Sequence, residues 1–433
     1  MLIRQGFQYA LRLKAKREAV LRRWVGCRRF VFNEALAHQR AEVAAGRQRP
    51  GYAALCARLP ALKAQHPWLA EPPAQALQQA LKDLCRAWDS KFTSRFGAPR
   101  FKMKGGGDTL RLPQDCKYNA AAGALRLPKI GVVRLRHSRV AEGELKNVTL
   151  RQERGRWIAS LQTEREVDVA VPAATAAVGL DFGAATTIMP SAGAPIELPR
   201  RIGRYERRMK RLQQAVSRKK KGSANRGKAV ARLNACHGRI AAMRRDFLHQ
   251  RTTELVRGHA LIAIEDLTVK SMTASATGTV DAPGKNVKAK AGLNRTILRN
   301  GWAMARSMLG YKAEWHGVML VAVPPAFTSQ QRSACGHTAA ANRKTQAEFA
   351  CVACGQCDNA DRNAAKNILR RGQEILSGGR PASTAGYAGT HACKGAGCKL
   401  PHRRPRSAAQ GGLAEPPLAG TVPGLSLPGN LNP

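Results

Sequence analysis

The chain of 433 residues carries 73 Lys and Arg against 28 Asp and Glu, a formal net charge of +45, with a pI near 11.1. That length buries a real core and divides into two or three domains. No ordinary cytosolic enzyme needs such an excess of cations, whose self-repulsion destabilises a compact fold unless a polyanion relieves it, so nucleic acid is the leading partner and a membrane surface the weaker alternative.

The opening MLIRQGFQYALRLKAKREAV has no apolar core of a signal peptide, and no run of about 18 apolar residues predicts a membrane span. Eleven cysteines then point to a reducing compartment. Cys27, Cys56, Cys85, Cys116 and Cys236 read as buried small hydrophobes, and the others cluster after residue 334.

In chain order, FQYALRLKAK alternates like a strand. REAVLRRWVGCRRFVFNEALAHQRAEVAAG has helical spacing, with Val20, Trp24, Cys27, Phe30, Val31 and Leu36 near one face, and PPAQALQQALKDLCRAWDSKF is a second amphipathic helix. RLPKIGVVRLR and NVTLRQERGRWIASLQTERE alternate at period two, with Gly155 at a hairpin tip. They predict a small antiparallel sheet or barrel over 101–172, joined by the N-terminal strand. AAVGLDFGAATTIM opens a new domain with a buried strand. Two long basic helices follow, broken at KKKGSANRG. ALIAIEDL is another buried strand, TASATGTVDAPGKNVKAKAG a loop, LNRTILRNGWAMARSMLGYKAEWHG a helix and VMLVAVPP a strand. From about residue 377 the chain turns to Gly, Pro, Ser and Ala without periodicity, which predicts disorder.

Three carboxylates stand out. Asp181 ends AAVGLD, Glu265 ends ALIAIE, and Asp361 begins the helical DRNAAKNIL. Strands separated by helices predict a parallel α/β sheet, in which residues at the carboxyl ends of adjacent strands converge on one crevice. Three carboxylates there would raise one another's pKa, a conflict that a bound divalent cation removes. Mg²⁺ prefers such oxygens and keeps positions for substrate phosphate. Against this, an acid after a strand is most often a turn former or helix N-cap. Asp358 or Asp361 could cap the last helix, and alternation does not say whether Glu265 or Asp266 turns inward.

Cys351 and Cys354 form a Cys-x-x-Cys pair, but upstream only Cys335 is present, with Arg332 three residues before it. Arginine stays protonated and cannot ligate a cation, and structural zinc takes four ligands. His337 and Cys357 are candidate substitutes, and a metal-free ribbon packed around Phe349 is the alternative. His391, Cys393, Cys398 and His402 mimic a zinc finger in sequence with no core beside it.

The residues AAVGLDFG, LIAIEDL and DNADRNAAKNIL resemble the three RuvC-type motifs of the insertion-sequence OrfB/TnpB proteins, relatives of type V CRISPR effectors. GCRRFVFNEAL, GAPRFK, LPKIGVVRLR, the central helices and FTSQ agree in order, over roughly 85% of the chain. The resemblance implies an α+β multidomain fold. An RNase H-like (RuvC) nuclease domain at 173–376 would carry a zinc-ribbon-like insertion at about 327–357. A small β-barrel-like wedge domain would comprise 1–13 and 101–172, and a helix-turn-helix-like recognition module 14–100, with a disordered tail at 377–433.

It further implies an RNA-guided DNA endonuclease with Asp181, Glu265 and Asp361 as catalytic residues holding Mg²⁺ or Mn²⁺, and prefers Glu265 over Asp266. It implies a ribbon with Cys-x-x-Cys twice, where this chain has Arg332, Cys335, Cys351 and Cys354; zinc there would need a substitute ligand, for which His337 is better placed than Cys357. The partners would be target DNA and a guide RNA from the transposon end, in the cytoplasm of a prokaryote. Arg218, Lys219, Lys220, Lys221, Arg226, Lys228, Arg244 and Arg245 then read as contacts to guide RNA or heteroduplex rather than solvated helix faces. Trp24, Trp157 and Trp302 read as core rather than base-stacking residues. A catalytically silent RNA-guided DNA-binding protein and a transposase performing strand transfer are the alternatives. Retention of three carboxylates counts against the first, and the lack of a clearly placed Tyr or Ser nucleophile against the second.

Overall fold

The computed structural model describes residues 1–378 apart from 94–96, 106–108, 154, 169–170, 173, 280–281 and 346. His391, Cys393, Cys398, His402 and all but the first two residues of the expected tail lie outside the described residues.

The chain opens on β1 (Leu2–Arg12) and α1 (Ala15–Ala44). Two short helices, α2 (Tyr52–Ala57) and α3 (Leu59–Gln65), lead to α4 (Ala74–Thr93). Six strands follow: β2 (Thr109–Leu112), β3 (Lys117–Asn119), β4 (Ala124–Leu127), β5 (Gly131–Leu135), β6 (Glu144–Glu153) and β7 (Arg156–Glu166). With β1 they form an antiparallel sheet in the order β2-β6-β7-β1-β5-β4-β3. The N-terminal strand is central, paired with β7 from Leu2↔Glu166 to Ala10↔Ile158 and at its end with β5. Its alternation puts Ile3, Phe7 and Tyr9 on the buried side, as the period of two requires.

Helix α1 serves two cores. Leu21, Trp24 and Val25 pack with Phe7, Tyr9 and Trp157 on the sheet. One turn later Cys27, Val31, Phe32 and Leu36 pack with Leu77, Leu81 and Leu84 of α4 and with Leu55, Leu59 and Leu62 of the short helices. Each such large side chain removed from water contributes about 1.5–3 kcal/mol. Trp24, Trp157 and Trp302 are all buried, as core residues are. Of the scattered cysteines only Cys27 and Cys236 are fully buried, while Cys56, Cys85 and Cys116 are half-buried.

The second half of the chain begins with β8 (Ala177–Asp181), β9 (Met189–Pro190) and the helical hairpin α5 (Arg200–Ser217) and α6 (Ala224–Gly258). It continues with β10 (Leu261–Glu265), α7 (Val269–Met272), α8 (Val287–Asn300), α9 (Trp302–Trp315) and β11 (Met319–Val323). The two-stranded β12 (Glu348–Ala350) and β13 (Cys357–Asn359) and the closing α10 (Ala360–Leu376) complete it. The sheet order is β11-β10-β8-β9. β10 runs parallel to both β11 and β8, and β9 antiparallel to β8.

Two sequence expectations are corrected here. Residues 287–292, read as loop, already belong to α8. The single helix expected from Leu293 onward breaks at Gly301, whose φ of +73° ends α8 and starts α9. A left-handed residue cannot continue a right-handed helix, and glycine adopts that conformation at no steric cost.

Helix α10 lies on β8 and β10 at contact distance because two glycines allow it. A Cβ at Gly179 would sit 2.1 Å from the carbonyl oxygen of Ala365, and one at Gly372 would sit 2.6 Å from Ala263 Cβ. This close approach carries the first turn of α10 to the carboxyl edge of the sheet.

Candidate active site

The parallel register aligns Leu180 with Ile264, so Asp181 and Glu265 emerge side by side at the carboxyl ends of β8 and β10. Asp361 enters from the first turn of α10. All three line one pocket of about 280 Å³ together with Phe182, Gly183, Ala184, Pro325, Thr328, Ser329, Arg343 and Ala364. The loop after β8 runs directly beneath Asp361, since a Cβ on Gly183 would stand 3.5 Å from its Oδ2. Buried Asn300, the last residue of α8, pins this loop by donating to the carbonyls of Gly183 (2.9 Å) and Ala184 (3.1 Å).

All three acids hold their protons more tightly than usual. Burial, then the charges of Glu265 and Asp361, push Asp181 up to about 8 against the opposing pull of Arg343. Burial raises Glu265, partly offset by the Thr328 hydroxyl and by Arg371. Burial also raises Asp361, opposed by Arg343. Thr328 Oγ1 donates to Glu265 Oε1 at 2.6 Å, and Arg343 Nη2 faces Asp361 Oδ1 at 3.3 Å. A set of desolvated carboxylates that disfavour their own ionisation suits hard divalent cations, which restore the charged form.

The local alternatives for these acids are settled by their partners. Asp266 turns outward and pairs with Arg306 at 2.5 Å. Neither Asp358 nor Asp361 caps α10: Asn359 does, accepting from the Arg362 N–H at 3.0 Å. Asp358 instead meets Lys366 at 2.9 Å and Arg332 at 3.4 Å.

Sequence reasoning missed Arg343, one of 73 Lys and Arg with no motif around it. It also missed the asparagine clamp of α10. Buried Asn363 and Asn367, one turn apart, donate to Gln331 O (2.7 and 2.6 Å), and Asn367 also reaches Thr328 O (2.9 Å). That clamp holds the segment whose Thr328 orients Glu265. Two asparagines at i and i+4 on an apolar helix face were the available signal.

In the ribbon, Cys335, Cys351 and Cys354 bring their sulfurs within 4.8 Å of one another, the one group of metal-ligating atoms so gathered among the described residues. His337, expected as the substitute ligand, is not in this group: its Nδ1 faces Asn342 Nδ2 at 3.4 Å. Cys357 lies on β13 with its thiol toward Gly355 O at 3.8 Å, also outside the group.

Among the basic candidates, Arg218, Lys219, Lys220, Lys221, Lys228 and Arg245 are exposed. Two candidates are half-buried and serve the fold. Arg226 donates to Val216 O at 2.9 Å across the helical hairpin, and Arg244 donates to Leu298 O at 2.7 Å. Arg245 lines a second cleft of about 1310 Å³ between β1, α6 and α9, with Arg4, Arg139, Arg257, Tyr311 and Trp315. The first three cations lie far apart in sequence, so no local charge run marked them. Among the described residues, no helix is long and apolar enough to cross a membrane.

Comparison with known proteins places these features in a family. Residues 160–276 match the IS605 OrfB family described as "Probable transposase". Residues 1–48 match that family's helix-turn-helix domain, and residues 302–368 the "Cas12f1-like, TNB domain". The chain is similar to "Putative RNA-guided DNA endonuclease InsQ" of Escherichia coli (strain K12), 44% identical over 87% of this chain and 94% of the relative. It is also similar to "Putative RNA-guided DNA endonuclease" of Streptomyces pristinaespiralis, 35% identical over 86% and 90%. A solved structure, "Cryo-EM structure of the Cas12f1-sgRNA-target DNA complex", aligns with 85% of this chain and 99% of its own at 14% identity and a TM-score of 0.33. With near full-length relatives at these identities and family segments matched in order, the chain belongs to the OrfB/TnpB family of insertion-sequence proteins.

Proposed function

We propose that the chain is an RNA-guided DNA endonuclease that hydrolyses phosphodiester bonds at Asp181, Glu265 and Asp361. The observation that carries this is the meeting of three carboxylates, Glu265 buried and Asp181 and Asp361 half-buried, all with raised pKa values, in one pocket of a chain with formal charge +45. The names of the two near full-length relatives support the guided reaction. On this reading residues 173–376 are an RNase H-like nuclease domain, 1–13 with 101–172 a wedge domain, and 14–100 a recognition module.

The donor set fits Mg²⁺ or Mn²⁺, which when bound supply an activated water and a counter-charge for the leaving oxygen of an in-line displacement. Asp181 and Glu265 hold the ligand positions from the rigid strand ends, and Asp361 closes the set from α10. Thr328 fixes the rotamer of Glu265. Arg343 neutralises part of the excess charge and stands ready to meet a substrate phosphate. Exposed Arg218, Lys219, Lys220, Lys221, Lys228 and Arg245, with the cations of the larger cleft, would grip guide RNA and target backbones, leaving sequence choice to base pairing.

Strand transfer is the second reading, favoured by the family's "Probable transposase" description. Ser329 lines the pocket, a serine that the sequence did not place there, but no histidine is among the described lining residues. The Thr328 hydroxyl is committed to Glu265. Water therefore fits better as the nucleophile.

The test is cleavage of plasmid DNA with Mg²⁺ and the RNA that co-purifies with the protein, beside Asp181→Ala. Hydrolysed ends from the wild type alone are expected. Equal cleavage by both proteins would remove the site assignment. Joined ends would favour strand transfer, and guided binding without cleavage a silent binder.

A further inference from the structure

The two turns of the ribbon are built alike. In the second, the Cys351 N–H donates to Gln356 O (3.1 Å) and the Gly355 N–H to Cys351 O (2.9 Å). In the first, the Arg332 N–H donates to His337 O (2.9 Å) and the Gly336 N–H to Arg332 O (3.0 Å). Gly336 and Gly355 share the left-handed conformation, with φ of +76° and +69°. Position by position, Cys335 corresponds to Cys354, and Arg332 to Cys351. Three of the four equivalent positions carry thiols within 4.8 Å of one another, and the fourth carries a guanidinium.

That guanidinium is occupied elsewhere. Arg332 is 7% exposed, its Nη2 donates to Gln356 Oε1 at 2.7 Å, and its Nη1 faces Asp358 Oδ2 at 3.4 Å. The same Asp358 oxygen takes Lys366 Nζ of α10 at 2.9 Å. The zinc that the family resemblance implies wants four donors in a closed structural site. These residues offer three, with His337 outside the group and its Nδ1 facing Asn342, and the fourth corner belongs to a side chain that stays protonated. The donor set does not fit structural zinc.

We infer that the ribbon is held by an arginine strut in place of a metal. Arg332 crosses from the first turn to Gln356, which closes the second, and to Asp358 just beyond it, making side chain to side chain the link that a shared cation would make between thiolates. Through Asp358 and Lys366 the strut reaches the helix that presents Asp361. The inference concerns the ribbon alone and does not depend on whether the pocket cuts DNA.

The test is zinc content and thermal melting of the full-length protein, grown with zinc and dialysed into excess Mg²⁺ so that the carboxylate pocket does not retain zinc. The wild type is expected to hold no stoichiometric zinc and to melt at the same temperature with or without a zinc chelator. Arg332→Cys is expected to gain about one zinc per chain and a chelator-sensitive melt. Asp358→Asn should lower the wild-type melting temperature by on the order of a few degrees, with zinc content unchanged. Stoichiometric zinc in the wild type, a folded Arg332→Cys without zinc, or an unshifted Asp358→Asn melt would each overturn the strut. If Arg332→Cys fails to fold, the wild-type zinc content and the Asp358→Asn melt still decide.

Discussion

The carboxylate pocket, which takes Arg343 and Asp361 from the ribbon's own stretch of chain, and the thiol ribbon treat charge in different ways. In the pocket, Glu265 is buried and Asp181 and Asp361 are half-buried, with Arg343 the one arginine among the lining residues described; it offsets only part of the negative charge, and burial and repulsion hold Asp181 up at about 8. In the ribbon, Arg332, Asp358 and Lys366 supply their own countercharges, and burial's upward push on Asp358 is overcome by Lys366, the Asn359 N–H and Arg332, leaving it below its ordinary range. The difference teaches that spacing of ligand-type residues does not by itself define a cation site. In the ribbon a guanidinium with its own carboxylate partner occupies the fourth corner beside the thiols, whereas in the pocket all three positions carry carboxylates.

The comparison breaks most visibly at Asp181. Asp181→Asn is expected to bring plasmid cleavage to background, yet to raise the melting temperature of the cation-free protein at pH 8, because it removes a charge that desolvation and the neighbouring Glu265 and Asp361 disfavour. A lower melt would mean the pocket is not the uncompensated site described here. Next in size is Gly179→Ala. The added methyl would collide with the Ala365 carbonyl, costing about 3 kcal/mol by denaturant unfolding and reducing cleavage as α10 moves Asp361.

A pH series sharpens the contrast. Asp181 ionises near 3.8 when unperturbed and near 8 in the fold, so the native state binds the extra proton. Its contribution is therefore full below about pH 4 and is lost as pH rises toward 8. Without divalent cations, stability should decline across that window. Mg²⁺ should raise the melting temperature more at pH 8 than at pH 6, and equal shifts would count against carboxylate ligation. The smallest effect separates surface from structural cations. Lys220→Gln should lower the salt slope of nucleic-acid binding by about 0.9 per lost phosphate contact with an unchanged melt. Arg244→Gln should instead cost about 1 kcal/mol of stability by losing its bond to Leu298 O.

Much of the site was legible because acids are rare in this chain. Asp181 and Glu265 each close a short apolar run, so strand ends and acids coincide, and a parallel sheet brings such ends together. The two basic helices α5 and α6 with their turn, and the joining of the N-terminal strand to the small sheet, likewise follow from periodicity and turn chemistry, whereas the central place of β1 does not. The break at Gly301 was not legible, since a lone glycine inside a helical pattern is tolerated as often as it ends a helix. Nor were the structural roles of Arg226 and Arg244, which look like any other cations in a basic helix.

The sequence alone determined the longer helices and the buried strands ending in acids, the acids available for a crevice and the missing fourth thiol, because these depend on local periodicity and residue identity. Tertiary structure decided that Glu265 and not Asp266 faces the pocket, that Arg343 and Thr328 attend the carboxylates, that His337 stays outside the thiol group, and that Arg332 spans to Asp358. Each of these depends on which group a distant segment brings within about 3 Å, a distance that no pattern along one strand or helix encodes.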